Sequence, residues 1–214
     1  MLIGCNTLSY ATGREDVEAL ELLANAGFKS IDLNLNKYAL RSPISSFWQT
    51  EESARLCYAN ALKQRANELG IVVGQVHSPY PTYFENEDKT EDVLHVTKSS
   101  INIAAALNSP YIVIHPNIPP SAKTALQVEE AVENNFGFFS LFFEDLKRTG
   151  LCIGIENMFN WLAEEDRALP TVASTAECMA YMVDRLNEMC GEKHFVACLD
   201  VGHAMLSGGG SPAA

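Results

Sequence analysis

Two kinds of apolar pattern alternate along the chain. Short apolar runs of four to six residues are each followed by a polar or Gly-containing loop, then by a longer stretch with apolar residues at helical spacing. The first strand reads over residues 2–5. Its helix covers 16–26, with Val17, Leu20, Leu23 and Ala24 on one face and Gly27 as its stop. Strand two is 30–33, and a polar loop with Arg41, Pro43 and Trp48 leads into a helix over 51–69 that ends at Gly70. Strand three follows at 71–76, a helix lies near 91–107, and strand four is 111–114. A helix over 127–148 stops at Gly150 before strand five at 151–155; another over 175–189 stops at Gly191 before strand six at 195–199.

Short apolar strands separated by whole helices predict a parallel sheet covered by helices. Such a sheet is either a closed barrel or an open doubly wound sheet. The second would place a Gly-rich phosphate turn after strand one, and the residues there, Asn6-Thr-Leu-Ser-Tyr-Ala-Thr-Gly13, contain no G-x-G-x-x-G. The expected fold class is therefore α/β, a (β/α)8 TIM-type barrel. A full barrel takes roughly 250 residues, whereas residues 207–214 read as a loop and the start of a sixth helix. The expectation is a single domain over 1–214 that stops after about six β/α units and lacks strands seven and eight. An open barrel leaves two bare strand edges. The chain is then a fragment, or it completes itself with another chain, so a homo-oligomer is one expectation.

Composition narrows the class. At 47% hydrophobic and 20% charged residues the chain is an ordinary globular domain. It has neither the roughly 18-residue apolar run of a membrane helix nor the basic-then-apolar start of a secretory signal, which predicts a cytoplasmic protein without a membrane partner. Six cysteines without a C-x-x-C pair read as reduced thiols, not as a disulfide scaffold or zinc ribbon. A formal charge of −12 repels a polyanion and counts against nucleic acid as the main partner.

Function in such barrels sits where strands end and loops enter the next helix. After strand three comes Val76-His77-Ser-Pro-Tyr80, after strand four Ile114-His115-Pro-Asn117, after strand five Ile155-Glu156-Asn157, and after strand six Leu199-Asp200-Val-Gly-His203. Four successive strand ends thus aim a histidine or carboxylate at one mouth. Imidazole and carboxylate donors suit a divalent metal of the Mn, Mg, Co or Zn type, and the lack of a thiolate at these positions fits a catalytic site. An ionised Glu156 after the apolar run 151–155 is costly unless paired or metal-bound. Asp200 reads as a ligand or as a helix N-cap; His203 either joins it or faces substrate. His95, inside a predicted helix, and His194, at the opposite end of strand six, read as structural. Tyr80, Tyr83, Phe84, Phe159 and Trp161 lie on loops at the mouth, where rings stack on a sugar or seal out water. The acidic group Glu85, Glu87, Asp88, Glu91 and Asp92 reads as a solvated helix start, and Gly208 to Gly210 as a turn.

The motifs V-H-S-P-Y, I-H-P-N, I-E-N and L-D-V-G-H-A, in this order and spacing, resemble those of the xylose isomerase-like TIM-barrel superfamily, which includes sugar and sugar-phosphate isomerases and epimerases as well as endonuclease IV. The epimerase resemblance implies an enzyme of carbohydrate metabolism. In it Glu156 is metal ligand and acid/base, Asp200 a second ligand, and His203 a substrate contact; His77 and His115 are expected to face substrate. It also implies two further ligands on strands seven and eight that have no counterpart before Ala214, so the 214-residue chain alone is expected to be inactive or severely impaired. The nuclease resemblance implies that His77, His115, Glu156, Asp200 and His203 all bind zinc and cleave DNA at abasic sites. A duplex grip needs basic residues, and the mouth loops offer chiefly Lys37, Arg41, Lys89, Lys123 and Arg167 among more acidic ones, which favours a sugar or sugar phosphate. The remaining alternative is a non-catalytic remnant.

Overall fold

The computed structural model describes residues 3–11, 13–38, 40, 44–83 and 87–208, with backbone alone for 87–89. Leu2, Arg41, Pro43, Phe84, Glu85, Gly209 and Gly210 therefore lie outside the described residues. In chain order the strands are β1 (Gly4–Asn6), β2 (Ser30–Asn34), β3 (Val72–His77), β4 (Tyr111–Ile114), β5 (Cys152–Glu156), β6 (Phe159–Leu162), β7 (Arg167–Pro170) and β8 (Phe195–Cys198). The helices are α1 (Leu8–Ala11), α2 (Asp16–Asn25), α3 (Glu52–Leu69), α4 (Glu87–Ala106), α5 (Ala125–Ser140), α6 (Phe143–Thr149), α7 (Ala176–Cys190) and α8 (Val201–Leu206).

Six strands form one parallel sheet in the order β1-β2-β3-β4-β5-β8. The sheet strands follow one another in chain order, each joined to the next through a helix, which is the β/α winding of a TIM-barrel-like fold. β1 and β8 stand at the two ends of this sheet. The core fills the layer between sheet and helices, with Ile31, Leu33, Val76, Ile112, Ile153 and Ile155 from the strands and Leu20, Leu23, Leu62, Ile101, Phe139 and Leu186 from the helices all nearly inaccessible. Gly70 and Gly191 end α3 and α7 in the left-handed conformation at φ of 66° and 80°, which a side chain would disfavour.

The structure corrects the reading of residues 127–148 as one helix. The segment starts earlier, at Ala125, because Thr124 and Gln127 form a reciprocal capping box. It then breaks between α5 and α6. In the run Phe138-Phe-Ser-Leu-Phe-Phe143 that spans the break, Phe139 and Phe142 are completely buried while Leu141 is half exposed. A second correction concerns the loop after β5. It contains an antiparallel hairpin, β6 with β7, separate from the main sheet.

One irregularity bears on the site. The β2–β3 register skips from Ile31↔Val73 to Asp32↔Gln75, leaving Gly74 as the extra residue of a bulge. A Cβ there would stand 2.6 Å from Ser30 Oγ, so a glycine fits the close approach. Bulges re-aim the residues beyond them, and here those residues include Asp32 and His77.

Candidate active site

Glu156 ends β5, is buried, and presents its carboxylate to the C-terminal mouth of the sheet. Three imidazoles surround it. His77 Nε2 lies 3.2 Å and His115 Nε2 3.0 Å from its Oε2, and His203 Nδ1 lies 3.4 Å from its Oε1. The isolated buried carboxylate that the sequence makes improbable is thus an encircled one. Burial by itself favours the protonated acid, but the hydrogen bonds from His115 and His77 prevail and hold Glu156 far below the ordinary carboxylate range.

His77 is the last residue of β3 and is flanked by acids on both ring nitrogens. Burial pulls its pKa down, yet hydrogen bonds to Asp32 (2.8 Å from Nδ1) and Glu156 outweigh that and push it up to about 9. Asp32 lies on β2 and also accepts a 2.7 Å hydrogen bond from Asn6 Nδ2 on β1. Neither Asp32 nor Asn6 stands out when only the ends of strands three to six are inspected. A signal does exist: in Ile31-Asp32-Leu33-Asn34 the polar residues alternate with core residues, which places Asp32 and Asn34 on the face opposite the helices.

Asp200 fulfils the N-cap alternative, since its Oδ1 accepts from the His203 amide at 2.8 Å and opens α8. Its other oxygen, Oδ2, lies 4.0 Å from His203 Nε2. His203 donates from Nδ1 to the Asn157 carbonyl at 2.9 Å, which leaves Nε2 as the nitrogen with a free lone pair. Asn157 in turn holds Asp200 through both backbone groups.

All five residues expected from the strand ends therefore line one cleft of about 500 Å³, together with Asp32 and Asn6. No lysine or arginine lines it among the described residues. Lys37 is engaged with Asp16 and Arg167 with Glu165, and the Lys89 side chain and Arg41 lie outside the described residues. Tyr80 packs its ring 4.9 Å from that of His115, and Phe159, from the hairpin, lies 5.1 Å from His203. His95 and His194 stay out of the cleft: His95 meets the Trp48 carbonyl and His194 the Leu151 carbonyl. Cys198 also reaches the cleft, but burial, with Glu156, Asp32 and Asp200 adding, pushes its thiol up to about 12 and keeps it un-ionised. A larger cavity of about 650 Å³, between the hairpin and the first turns of α5 and α7, gathers no comparable cluster.

The donor set fits a divalent cation. Glu156, Asp200 and His203 each offer a ligand atom, all within 4.8 Å of one another, and His77, His115 and Glu156 make a second such group. Oxygen and imidazole donors suit Mn, Mg, Co or Zn. The His203 ring, anchored through Nδ1 on a backbone carbonyl, has the support usual for a ligating imidazole.

Parallel β/α units with their polar side chains gathered beyond the carboxyl ends of the strands define a TIM-barrel-like α/β protein with its site at the mouth. The model of the xylose isomerase-like TIM barrel family matches residues 20–214, and the chain belongs to that family. Among solved structures it is similar to a D-tagatose 3-epimerase-like protein (TM-score 0.67, 21% identity, covering 95% of this chain and 66% of that one). It is also similar to the 3-keto-D-glucoside 4-epimerase YcjR from E. coli (TM-score 0.65, 13% identity, 96% and 70%) and to a D-psicose 3-epimerase (TM-score 0.58, 16% identity, 95% and 64%). At these identities the likeness is one of fold, and the chain spans about two thirds of the length of these relatives. None of the curated proteins matches the chain. No helix among the described residues is long and apolar enough to cross a membrane.

Proposed function

We propose that the chain is a divalent-metal-dependent isomerase or epimerase of a sugar or sugar phosphate, moving a proton at a carbon beside a carbonyl with Glu156 as acid/base. The observation that carries this reading is the buried Glu156 carboxylate facing the mouth with imidazoles on both of its oxygens. Glu156, Asp200 and His203 would hold the cation. Bound there, it would supply Lewis-acid stabilisation to substrate oxygens beside the reacting carbon.

The side chains themselves perform the rest. While His77 and His115 donate to Glu156, its basicity is suppressed. A substrate carbonyl or hydroxyl that enters the cleft competes for those donors. The two imidazoles then stabilise the charge that develops on the substrate oxygen, and Glu156, relieved of them, becomes the stronger base. The C–H proton passes to Glu156 while the bond's electron pair moves toward the carbonyl oxygen. Return of a proton to the neighbouring carbon, with the adjacent hydroxyl proton passing to the former carbonyl oxygen, gives isomerisation; return to the opposite face of the same carbon, from a donor on that face, gives epimerisation. Tyr80 and Phe159 supply apolar walls beside the polar cluster.

One feature favours a second reading. The two candidate ligand groups share Glu156, an arrangement that suits two cations and a zinc-dependent abasic-site nuclease. A cleft lined by no lysine or arginine among the described residues, in a chain of charge −12, argues against it.

Deuterium incorporation from D2O tests the sugar reading, because it needs only one proton-transfer group. Ketoses and ketose phosphates incubated with the chain and Mn or Co should acquire deuterium beside the carbonyl, and Glu156→Gln should abolish this. No incorporation above the Glu156→Gln background with any of them would overturn the reading.

A further inference from the structure

Among the described residues of the cleft, Asp32 is a carboxylate to which the proposed reaction gives no task. Asp32 stands on β2, three strands from Glu156 in the sheet, on the opposite side of the His77 ring. It nevertheless contacts His77 as closely as Glu156 does, with both of its oxygens 2.8 Å from Nδ1. Its side chain is only 14% exposed and that of His77 12%. A carboxylate is an acceptor only, so the shared proton sits on the ring nitrogen.

An imidazole at the end of a strand can turn about two torsions, and a buried neighbour that takes one N–H fixes both the ring plane and the nitrogen left for the other side. Asn6 Nδ2, itself held by the turn in which Leu8 N donates to Asn6 Oδ1 at 2.9 Å, fixes Asp32 in the same way from β1. The contacts form one line across the mouth, Asn6 to Asp32 to His77 to Glu156, linking β1, β2, β3 and β5. The bulge at Gly74 sets the register that brings Asp32 opposite Gln75 and His77 opposite Asn34.

We propose that Asp32 is a positioning residue for proton transfer, accepting the Nδ1–H hydrogen bond of His77 so that Nε2–H is aimed at Glu156 and at the substrate oxygen that displaces it. Asn6 supports it from behind. The inference rests on Glu156 acting as the base, as proposed above. Loss of Asp32 leaves His77 present but free to rotate, so substrate still binds while proton transfer slows.

The test uses the full chain, with histidine side-chain NMR at one pH and deuterium incorporation as independent readouts. The wild type should show a downfield, slowly exchanging Nδ1 proton that is absent from His77→Gln. In Asp32→Ala that resonance should vanish, and the incorporation rate should fall about 10- to 100-fold with KM nearly unchanged. A resonance that persists in Asp32→Ala, or a rate equal to wild type, would overturn the proposal. Should Asp32→Ala fail to fold, Asn6→Asp carries the test, since it keeps the acceptor of the Leu8 amide and replaces the donor behind Asp32 by a carboxylate: a shifted, faster-exchanging His77 proton and a several-fold slower rate are expected, and wild-type values for both would be contrary. If the wild type incorporates no deuterium yet Asp32→Ala loses the resonance, the positioning stands and the assignment of Glu156 falls.

Discussion

Asn157 grips Asp200 from both sides: its Oδ1 accepts from the Asp200 amide at 2.6 Å, and its Nδ2 donates to the Asp200 carbonyl at 2.9 Å. Adjacent to Glu156 in sequence, it ties the end of β5 to the first turn of α8. This carboxamide adds to the β5–β8 ladder, in which Glu156 pairs with Cys198, in setting the spacing between the two carboxylates proposed to share a cation.

Asn157→Ala should loosen that spacing without touching a ligand atom. Metal affinity is expected to fall about 10- to 100-fold, with a stability loss of about 1–3 kcal/mol from the Asp200 amide left without its acceptor, the carbonyl keeping its bond from the Ala204 amide. Titration calorimetry with Mn or Zn, alongside urea denaturation, reads both. An unchanged affinity would mean that Asp200 is held by its capping bond alone.

The metal-free protein should lose stability on the alkaline side. His77 has a folded pKa of about 9 against an ordinary 6.5, so its contribution is complete below pH 6.5 and disappears as pH rises through 9. Glu156 has the opposite sign: depressed below 4.5, it stabilises above that value and ceases to do so as pH falls through its folded pKa. Urea denaturation in chelator should therefore show a plateau between about pH 4.5 and 6.5 and a decline of a few kcal/mol toward pH 9. In His77→Gln the alkaline decline should flatten. An equally steep decline in that variant would assign it elsewhere.

Much of this arrangement can be read from the sequence, and the omissions have physical causes. Four of the six sheet strands announce themselves as short apolar runs after the helix-ending glycines Gly27, Gly70, Gly150 and Gly191, and the four strand-end motifs place His77, His115, Glu156, Asp200 and His203 in one cleft. Asp32 escapes a search of strand ends because it sits inside a strand, made polar on one side only by period-two alternation. The β6–β7 hairpin is hidden for a related reason. Its strands are four residues each and none of their residues is fully buried, so no apolar run marks them. The break between α5 and α6 is hidden because no glycine or proline falls at residues 138–143 to mark a helix stop.

Duplex DNA should not bind. A basic grip is what gives nucleases their salt-dependent affinity, and the cleft offers none among the described residues. A gel-shift with an abasic-site duplex at micromolar protein and physiological salt should show free DNA only, with or without zinc. Retarded DNA whose affinity falls steeply with salt would restore the nuclease reading.

Elemental analysis of the purified chain tests the central claim most directly. The wild type should carry one or more equivalents of a divalent Mn, Co or Zn ion, lost in both Glu156→Ala and Asp200→Ala while the circular dichroism of each variant stays that of a folded chain. A folded wild type that takes up no divalent ion when one is supplied, or variants that keep the metal, would contradict it.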